Sequence, residues 1–174
     1  DFSSPTVFIE TSRITSQYQI LIGEQLAADQ LYYWRVLAYD LAGNLRYSSQ
    51  NYTYENDNTQ PVVNIDYPTT AYFQSANLDI NYIASDSNLD KCWYSINGGS
   101  IIELPGCSNS SAIFTEGSNT LRVYANDSAG NTFNDIVTFT VDTTNPSVDL
   151  SSPGNGNYVT SKPFNLNYTA TDTN

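Results

Sequence analysis

Three strings in this chain occur twice, and their spacing limits what it can fold into. DLAGN at residues 40–44 returns as DSAGN at 127–131, and PVVNIDYP at 61–68 returns as PSVDLSSP at 146–153. NLDINYIASDSN, ending at Asn88, returns as FNLNYTATDTN, ending at Asn174. The offsets from Asp40 to Asp127, Pro61 to Pro146 and Asn88 to Asn174 are 87, 85 and 86 residues. A fixed period of this length means that one folded unit is used repeatedly. Residues 60–142 contain a whole period, 1–58 match the later part of a unit, and 146–174 match the beginning of one. Two accounts of the half-units are open. Either the chain is a window from a longer tandem array, or its half-units are completed by strands of neighbouring copies. Half a unit by itself leaves open edges and an uncovered apolar face.

Alternation of period two runs through each copy, which is the pattern of a half-buried strand. Tyr32, Trp34, Val36 and Ala38 fall on one face of a strand over residues 31–40, and Leu121, Val123 and Ala125 repeat that face. Leu78, Ile80, Tyr82 and Ala84 form a second inward stripe, with Asn77, Asp79 and Asn81 outward. Phe164, Leu166, Tyr168 and Ala170 copy that stripe, and Val137, Phe139 and Val141 close the unit. Pro and Gly-Asn clusters punctuate these runs about every 8–12 residues, as in a two-sheet sandwich. No segment sustains a helical period. The expected class is all-β, with one complete sandwich and two partial ones.

The charge balance excludes several functions. Six Lys and Arg stand against 18 Asp and Glu, for a net charge of −12. No basic patch can form, so nucleic-acid binding is excluded and an anionic lipid surface repels the chain. No apolar run approaches ~18 residues, so no membrane insertion is expected within this stretch. Met is absent, also at position 1, which fits a processed or excerpted segment whose anchor lies elsewhere. The chain contains no His, which removes His-based triads and His metal centres. No Gly-rich phosphate loop and no GxSxG string is present. The chain is therefore read as non-catalytic.

Two cysteines, Cys92 and Cys107, lie in CWYSINGGSIIELPGC. The span 97–100 reads as a hairpin turn. With Gly99 and Ser100 as its loop residues, Cys92 and Cys107 are symmetric about it, and a cross-strand disulfide is within reach. Closing a loop of this length stabilises by roughly 3 kcal/mol in the chain-entropy account. The alternative is two buried free thiols; a zinc site lacks its other ligands. A disulfide implies an oxidising, extracellular location.

LYYWRVLAYDLAGNLRYSSQNYTY resembles the last two strands of a fibronectin type III domain in microbial surface proteins, and DFSSPTVFIETS resembles its middle strands. Leu26 and Tyr32 match its tyrosine-corner positions, which implies that the Tyr32 hydroxyl bonds to nearby backbone. GSNTLRVYANDSAGN with FTVDTTNP is similar to the immunoglobulin-like repeats of bacterial and archaeal cell-surface proteins. Asn119 stands where Tyr32 stands in the first copy, so no tyrosine corner is expected there. The resemblance implies a cell-surface stalk, sheath or filament whose partners are neighbouring domains or copies of the same protein. The rivals are an adhesin or carbohydrate-binding module that meets cell-surface glycans, and a spacer attached to a secreted enzyme.

In such a sandwich, the loop after the second strand and the loop between the last two strands share one end with the incoming linker. That places Asp86, Asp90 and Asp127 near Glu55 and Asp57, while Asp142 and Asp172 occupy the matching places at the next junction. An oxygen-rich set of this kind suits Ca²⁺, which would stiffen the hinge between domains. The competing reading is that Asp40 and Asp127 only cap the DxAGN turn, where a short Asp bonds nearby N–H groups and Gly takes positive φ. Sequons for N-glycosylation occur at Asn51, Asn109, Asn126 and Asn167, about as many as chance gives in a chain this rich in Asn, Ser and Thr. Asn126 borders the DxAGN turn and is expected to be crowded.

Overall fold

The structure is a computed structural model that describes residues 29–35, 37–39, 42–156, 158 and 162–172. The chain divides into two compact units, Asp1–Thr59 and Gln60–Asn174. The stretch DFSSPTVFIETS, Leu26, Val36 and Asp40 lie outside the described residues, so neither the tyrosine corner nor an Asp40 cap is tested.

In the first unit, β1 (Gln30–Trp34) pairs with β4 (Tyr52–Asn56), and β2 (Leu37–Tyr39) pairs with β3 (Leu45–Tyr47). The strand expected over residues 31–40 is thus two strands that take different partners. Tyr32 faces Tyr54 in one ladder, while Leu37 faces Tyr47 in the other. The residue sums of these pairs differ by two, so the two ladders do not share one register.

In the second unit, β5 (Val62–Tyr67), β7 (Asn77–Ser85) and β10 (Ser110–Ile113) form a three-stranded sheet in the order β10-β7-β5. Five further strands form the second sheet: β6 (Tyr72–Phe73), β8 (Leu89–Ile96), β9 (Ile102–Leu104), β11 (Gly117–Asp127) and β12 (Thr132–Val141). Their order is β6-β12-β11-β8-β9, antiparallel except where β6 runs parallel to β12. Both sheets send alternate residues into one buried cluster. Val63, Leu78, Ile80 and Tyr82 come from one side, and Cys92, Tyr94, Leu121, Val123, Phe139 and Val141 from the other. This is a two-layer sandwich, and the stripes read from the alternation are the ones buried. At one end, Phe139 packs edge-on against Phe73 at 5.5 Å and Phe114 at 4.9 Å between ring centroids.

The Cys92–Cys107 disulfide is present, with Cα atoms 5.0 Å apart, but it does not cross the ladder as expected. Cys92 faces Leu104 across the β8–β9 pair. The turn is centred on Asn97 and Gly98, both at positive φ (52° and 69°), with the Gly99 N–H bonded to the Ile96 carbonyl at 2.8 Å. Asn-Gly prefers this primed turn because its twist matches that of the strands. Cys107 therefore lies three residues beyond the facing position. It returns to Cys92 through a single 3₁₀ turn, Pro105–Cys107, in which Gly106 and Cys107 take positive φ.

β13 (Ser147–Ser152) and β14 (Asn167–Thr171) form a separate two-stranded sheet. It copies β5–β7 closely. Val63 faces Ala84 and Ile65 faces Tyr82; Val148 faces Ala170 and Leu150 faces Tyr168. Both ladders shift register immediately afterwards, between Ile65 and Tyr67 and between Leu150 and Ser152. Both first strands lead into cis prolines, Pro68 and Pro153. The stripe Phe164, Leu166, Tyr168 and Ala170 was expected to point inward. Instead all four residues are exposed, because among the described residues no second sheet covers β13–β14.

Two outcomes follow. Replacing Cys92 and Cys107 together by Ala lowers unfolding stability by about 3 kcal/mol, the loop-closure contribution, read by urea denaturation. Tyr82 is buried, its hydroxyl finds no hydrogen-bond partner among the described residues, and burial pushes its phenol pKa up. Tyr82→Phe removes that uncompensated polar atom and leaves stability unchanged or higher by up to ~1 kcal/mol.

Candidate functional site

The loop joining β11 to β12 is the DSAGN turn. Asp127 opens it and is 1 % exposed. One carboxylate oxygen accepts the Asn131 backbone N–H at 2.8 Å, and the other accepts the Asn131 side-chain amide at 2.8 Å. Gly130 adopts φ +95°, which lets the chain reverse within four residues. Burial raises the Asp127 carboxyl pKa, but bonds from the Asn131 side chain and from the Asn131, Gly130 and Ala129 backbone outweigh it. The net position is below the ordinary carboxylate value. Asp127 therefore caps this turn.

The loop between β7 and β8 lies against it. Asp86 accepts the Asn88 N–H at 2.8 Å, and the Asn88 carbonyl accepts the Ser128 N–H at 2.9 Å and its hydroxyl at 3.2 Å. These bonds bring Asp86 and Asp127 together, so that a carboxylate oxygen of each lies within 4.8 Å of the other. Two oxygens on one Ca²⁺ at about 2.4 Å lie up to about 5 Å apart, so this spacing suits a shared cation. A Ca²⁺ ion also needs further oxygens, from carbonyls, water or another carboxylate.

The remaining acidic residues are placed differently. Asp90 is exposed and accepts the Asn126 amide at 3.4 Å. Asp142 caps its own linker by accepting the Thr144 N–H at 3.0 Å. Asp172 and Glu55 are exposed. In the first unit, Asp57 is half-buried and accepts the Thr59 N–H at 3.0 Å. Asp29 binds the same segment from the other side. Its carboxylate accepts the Asn58 N–H at 3.0 Å, and that bond first, then the Thr59 hydroxyl, holds its carboxyl pKa below the usual value.

Among the sequons, Asn51, Asn109 and Asn167 are exposed. The Asn109 carbonyl oxygen accepts the Tyr82 N–H at 3.2 Å, which leaves its amide nitrogen as the end for a sugar. Asn126 is half-buried, with its oxygen on the Lys91 N–H at 3.1 Å and its nitrogen toward Asp90. A glycan on that nitrogen would compete with the Asp90 contact.

Three polar residues escaped the sequence reading. Asn119 is 1 % exposed, and its oxygen accepts from the Thr115 N–H, the Thr115 hydroxyl and the Asn97 amide. Its nitrogen donates to the Thr115 and Gly117 carbonyls. Asn119 thus anchors the strand entry by a side-chain hub where the first copy has Tyr32. Asp135 on β12 accepts the Ile65 N–H of β5 at 2.8 Å and so links the two sheets. Glu116 accepts the Thr143 N–H and hydroxyl and holds the linker after β12. The signals were weak: Asn119 was visible only as a departure between repeats, and nothing in the local pattern singles out Asp135 or Glu116.

On the outer face of the five-stranded sheet, Trp93 and Tyr124 stack at 5.7 Å with 12° between ring planes, and the Arg122 guanidinium lies 5.9 Å from the Tyr124 ring. Mutual stacking occupies one face of each ring.

No family model matches the sequence, and no curated protein matches it. Among solved structures, the chain is similar to fibronectin(III)-like modules of CbhA from Clostridium thermocellum. The identity is 22 %, the TM-score 0.43, and the match covers 66 % of this chain and 64 % of that one. It is also similar to an engineered protein at 16 % identity and TM-score 0.40, over 51 % of this chain and 21 % of that one. Likeness at this level says nothing about what the chain does.

The depressed Asp127 pKa sets an acid response. Its stabilisation is fully present above the unfolded carboxyl pKa of 3.8 and is lost as pH falls through the lower folded value. Melting temperature should fall as pH drops below about 4. Asp127→Asn should lower it at pH 7 and flatten that acid slope.

Proposed function

We propose that this chain is a non-catalytic structural repeat of an extracellular, cell-surface stalk, sheath or filament. The observation that carries the reading is the copied sheet: β5–β7 and β13–β14 share register and bulge position, so the chain is built from reiterated sandwich halves. Reiteration of a fold whose loops are tied to their own backbone suits bearing load between neighbours. A disulfide and a linker held by Glu116 support the same reading. The absence of His from the sequence supports a non-catalytic role. Its partners are neighbouring domains or copies of the same protein.

The finer part of the proposal is a divalent cation, Ca²⁺, held by Asp86 and Asp127. Oxygen ligands alone, with no His or free thiol, fit a hard cation. Two carboxylates held this close without a cation repel one another, and a bound ion reverses that interaction.

Two measurements test the reading. Chelation with EDTA should lower the melting temperature by several degrees, with recovery on adding Ca²⁺; an unchanged melt rejects the cation. Electron microscopy of the native assembly should show these units joined end to end. Isolated particles that bind a specific glycan would replace the structural reading with that of an adhesin.

A further inference from the structure

The turn that closes the β8–β9 hairpin is an Asn-Gly pair, in which the backbone nitrogen of Gly98 follows directly on the Asn97 side-chain amide. Gly98 has no side chain to hinder an approach to that nitrogen, and even an added side-chain carbon there would meet nothing within 4 Å. The Gly98 N–H has no hydrogen-bond partner among the described residues, since the turn bond runs from Gly99 to Ile96. The Asn97 residue is exposed, yet its amide is engaged at both ends. Its oxygen accepts the Thr120 N–H at 2.7 Å, and its nitrogen donates to the Asn119 oxygen at 3.0 Å. The Asn97 N–H also donates to the Thr120 carbonyl at 2.8 Å. Asn119 is itself fixed. It is 1 % exposed, its oxygen takes two bonds from Thr115, and its nitrogen gives two to the Thr115 and Gly117 carbonyls. A chemically reactive pair at the surface is thus tied to a buried hub on β11.

We propose that Asn97 is a deamidation site which the Asn119 hub holds inert in the folded chain, and that conversion at Asn97 breaks the hub. In the reaction the Gly98 nitrogen bonds to the Asn97 Cγ, and the side-chain amide leaves as ammonia together with the Gly98 proton. Water then opens the resulting succinimide ring at either carbonyl and leaves Asp or isoaspartate; nothing is oxidised or reduced. Closing the ring draws Cγ from van der Waals contact to bonding distance of Gly98, so the amide must first leave Thr120 and Asn119. Loss of those two bonds makes the folded chain slower than the unfolded one by about tenfold or more. The product cannot restore the hub. An Asp at this position sets a carboxylate oxygen, with no proton to give, against the Asn119 oxygen, and two acceptors at that separation repel. Turning the Asn119 amide over would break its bonds to Thr115 and Gly117. The site stands on this turn alone and holds whether or not the chain is a structural repeat.

The test is peptide mapping by mass spectrometry of the 174-residue chain after incubation at mildly alkaline pH, folded in buffer and unfolded in urea. Exchange of the amide for a carboxyl at Asn97 is read from the mass of its peptide over time. Conversion at Asn97 should be about tenfold or more slower in buffer than in urea. Asn119→Ala removes the acceptor of the Asn97 amide, so the folded variant should convert at Asn97 several-fold faster than the folded parent. Asn97→Asp is the product made directly, and it should melt several degrees below the parent. If the thermal melt shows that Asn119→Ala does not fold, the parent's ratio of rates and the Asn97→Asp melt still decide. Equal rates at Asn97 in buffer and urea overturn the proposal. So does a folded Asn119→Ala that converts at the parent's rate, or an Asn97→Asp chain that melts with the parent.

Discussion

The buried core of this protein depends on one sheet having a second sheet to face. A strand with period-two alternation buries one side only if another layer lies over it. In the second unit that condition is met, and β5–β7 and β11–β12 close on Leu78, Ile80, Leu121, Val123 and Val141. In β13–β14 the same alternation, register and bulge occur with no second sheet over them among the described residues, and the same positions lie open. Strand pairing by itself therefore sets the ladder, and layer packing decides whether its apolar stripe becomes core.

The ends of the sandwich are held by polar side chains rather than by extra core. Asn119 satisfies the strand entry, Asp127 the DSAGN turn, Asp135 the edge of β5, and Glu116 the exit toward β13. Each bonds backbone groups that strand ladders leave unpaired, where an unmet bond costs more than a met one contributes. Asp127 shows how one residue serves two physical ends. Its hydrogen bonds cap the turn, and the same bonds keep it ionised beside Asp86. Turn cap and cation ligand are thus compatible, since each carboxylate oxygen offers two lone pairs.

The disulfide illustrates how a local irregularity redirects a long-range bond. A tight turn at Asn97 and Gly98, with one further residue taken up before the ladder, leaves Cys92 opposite Leu104 rather than Cys107. A 3₁₀ turn then brings Cys107 back to Cys92, whose side chain is fully buried. The bond therefore ties the β8–β9 hairpin to the segment leading into β10 as well as closing the hairpin. That geometry joins an edge of the five-stranded sheet to the strand that extends the other sheet.

The sequence alone determined the class, the period and the inward stripes of the second unit, because those follow from local alternation and from comparing one copy with the next. The DxAGN turn was legible for the same reason, since Asp and Gly act within five residues. Hairpin register was not legible: shifting the two loop residues by one or two positions satisfies the same alternation, and only the assembled ladder selects among them. The split between β1 and β2, the Asn119 hub and the Asp135 link were likewise decided by tertiary structure. Each joins groups whose meeting depends on the path of the whole chain. The stripe of Phe164, Leu166 and Tyr168 is the sharpest case: its pattern is written in the residues, but burial belongs to whatever surface lies opposite.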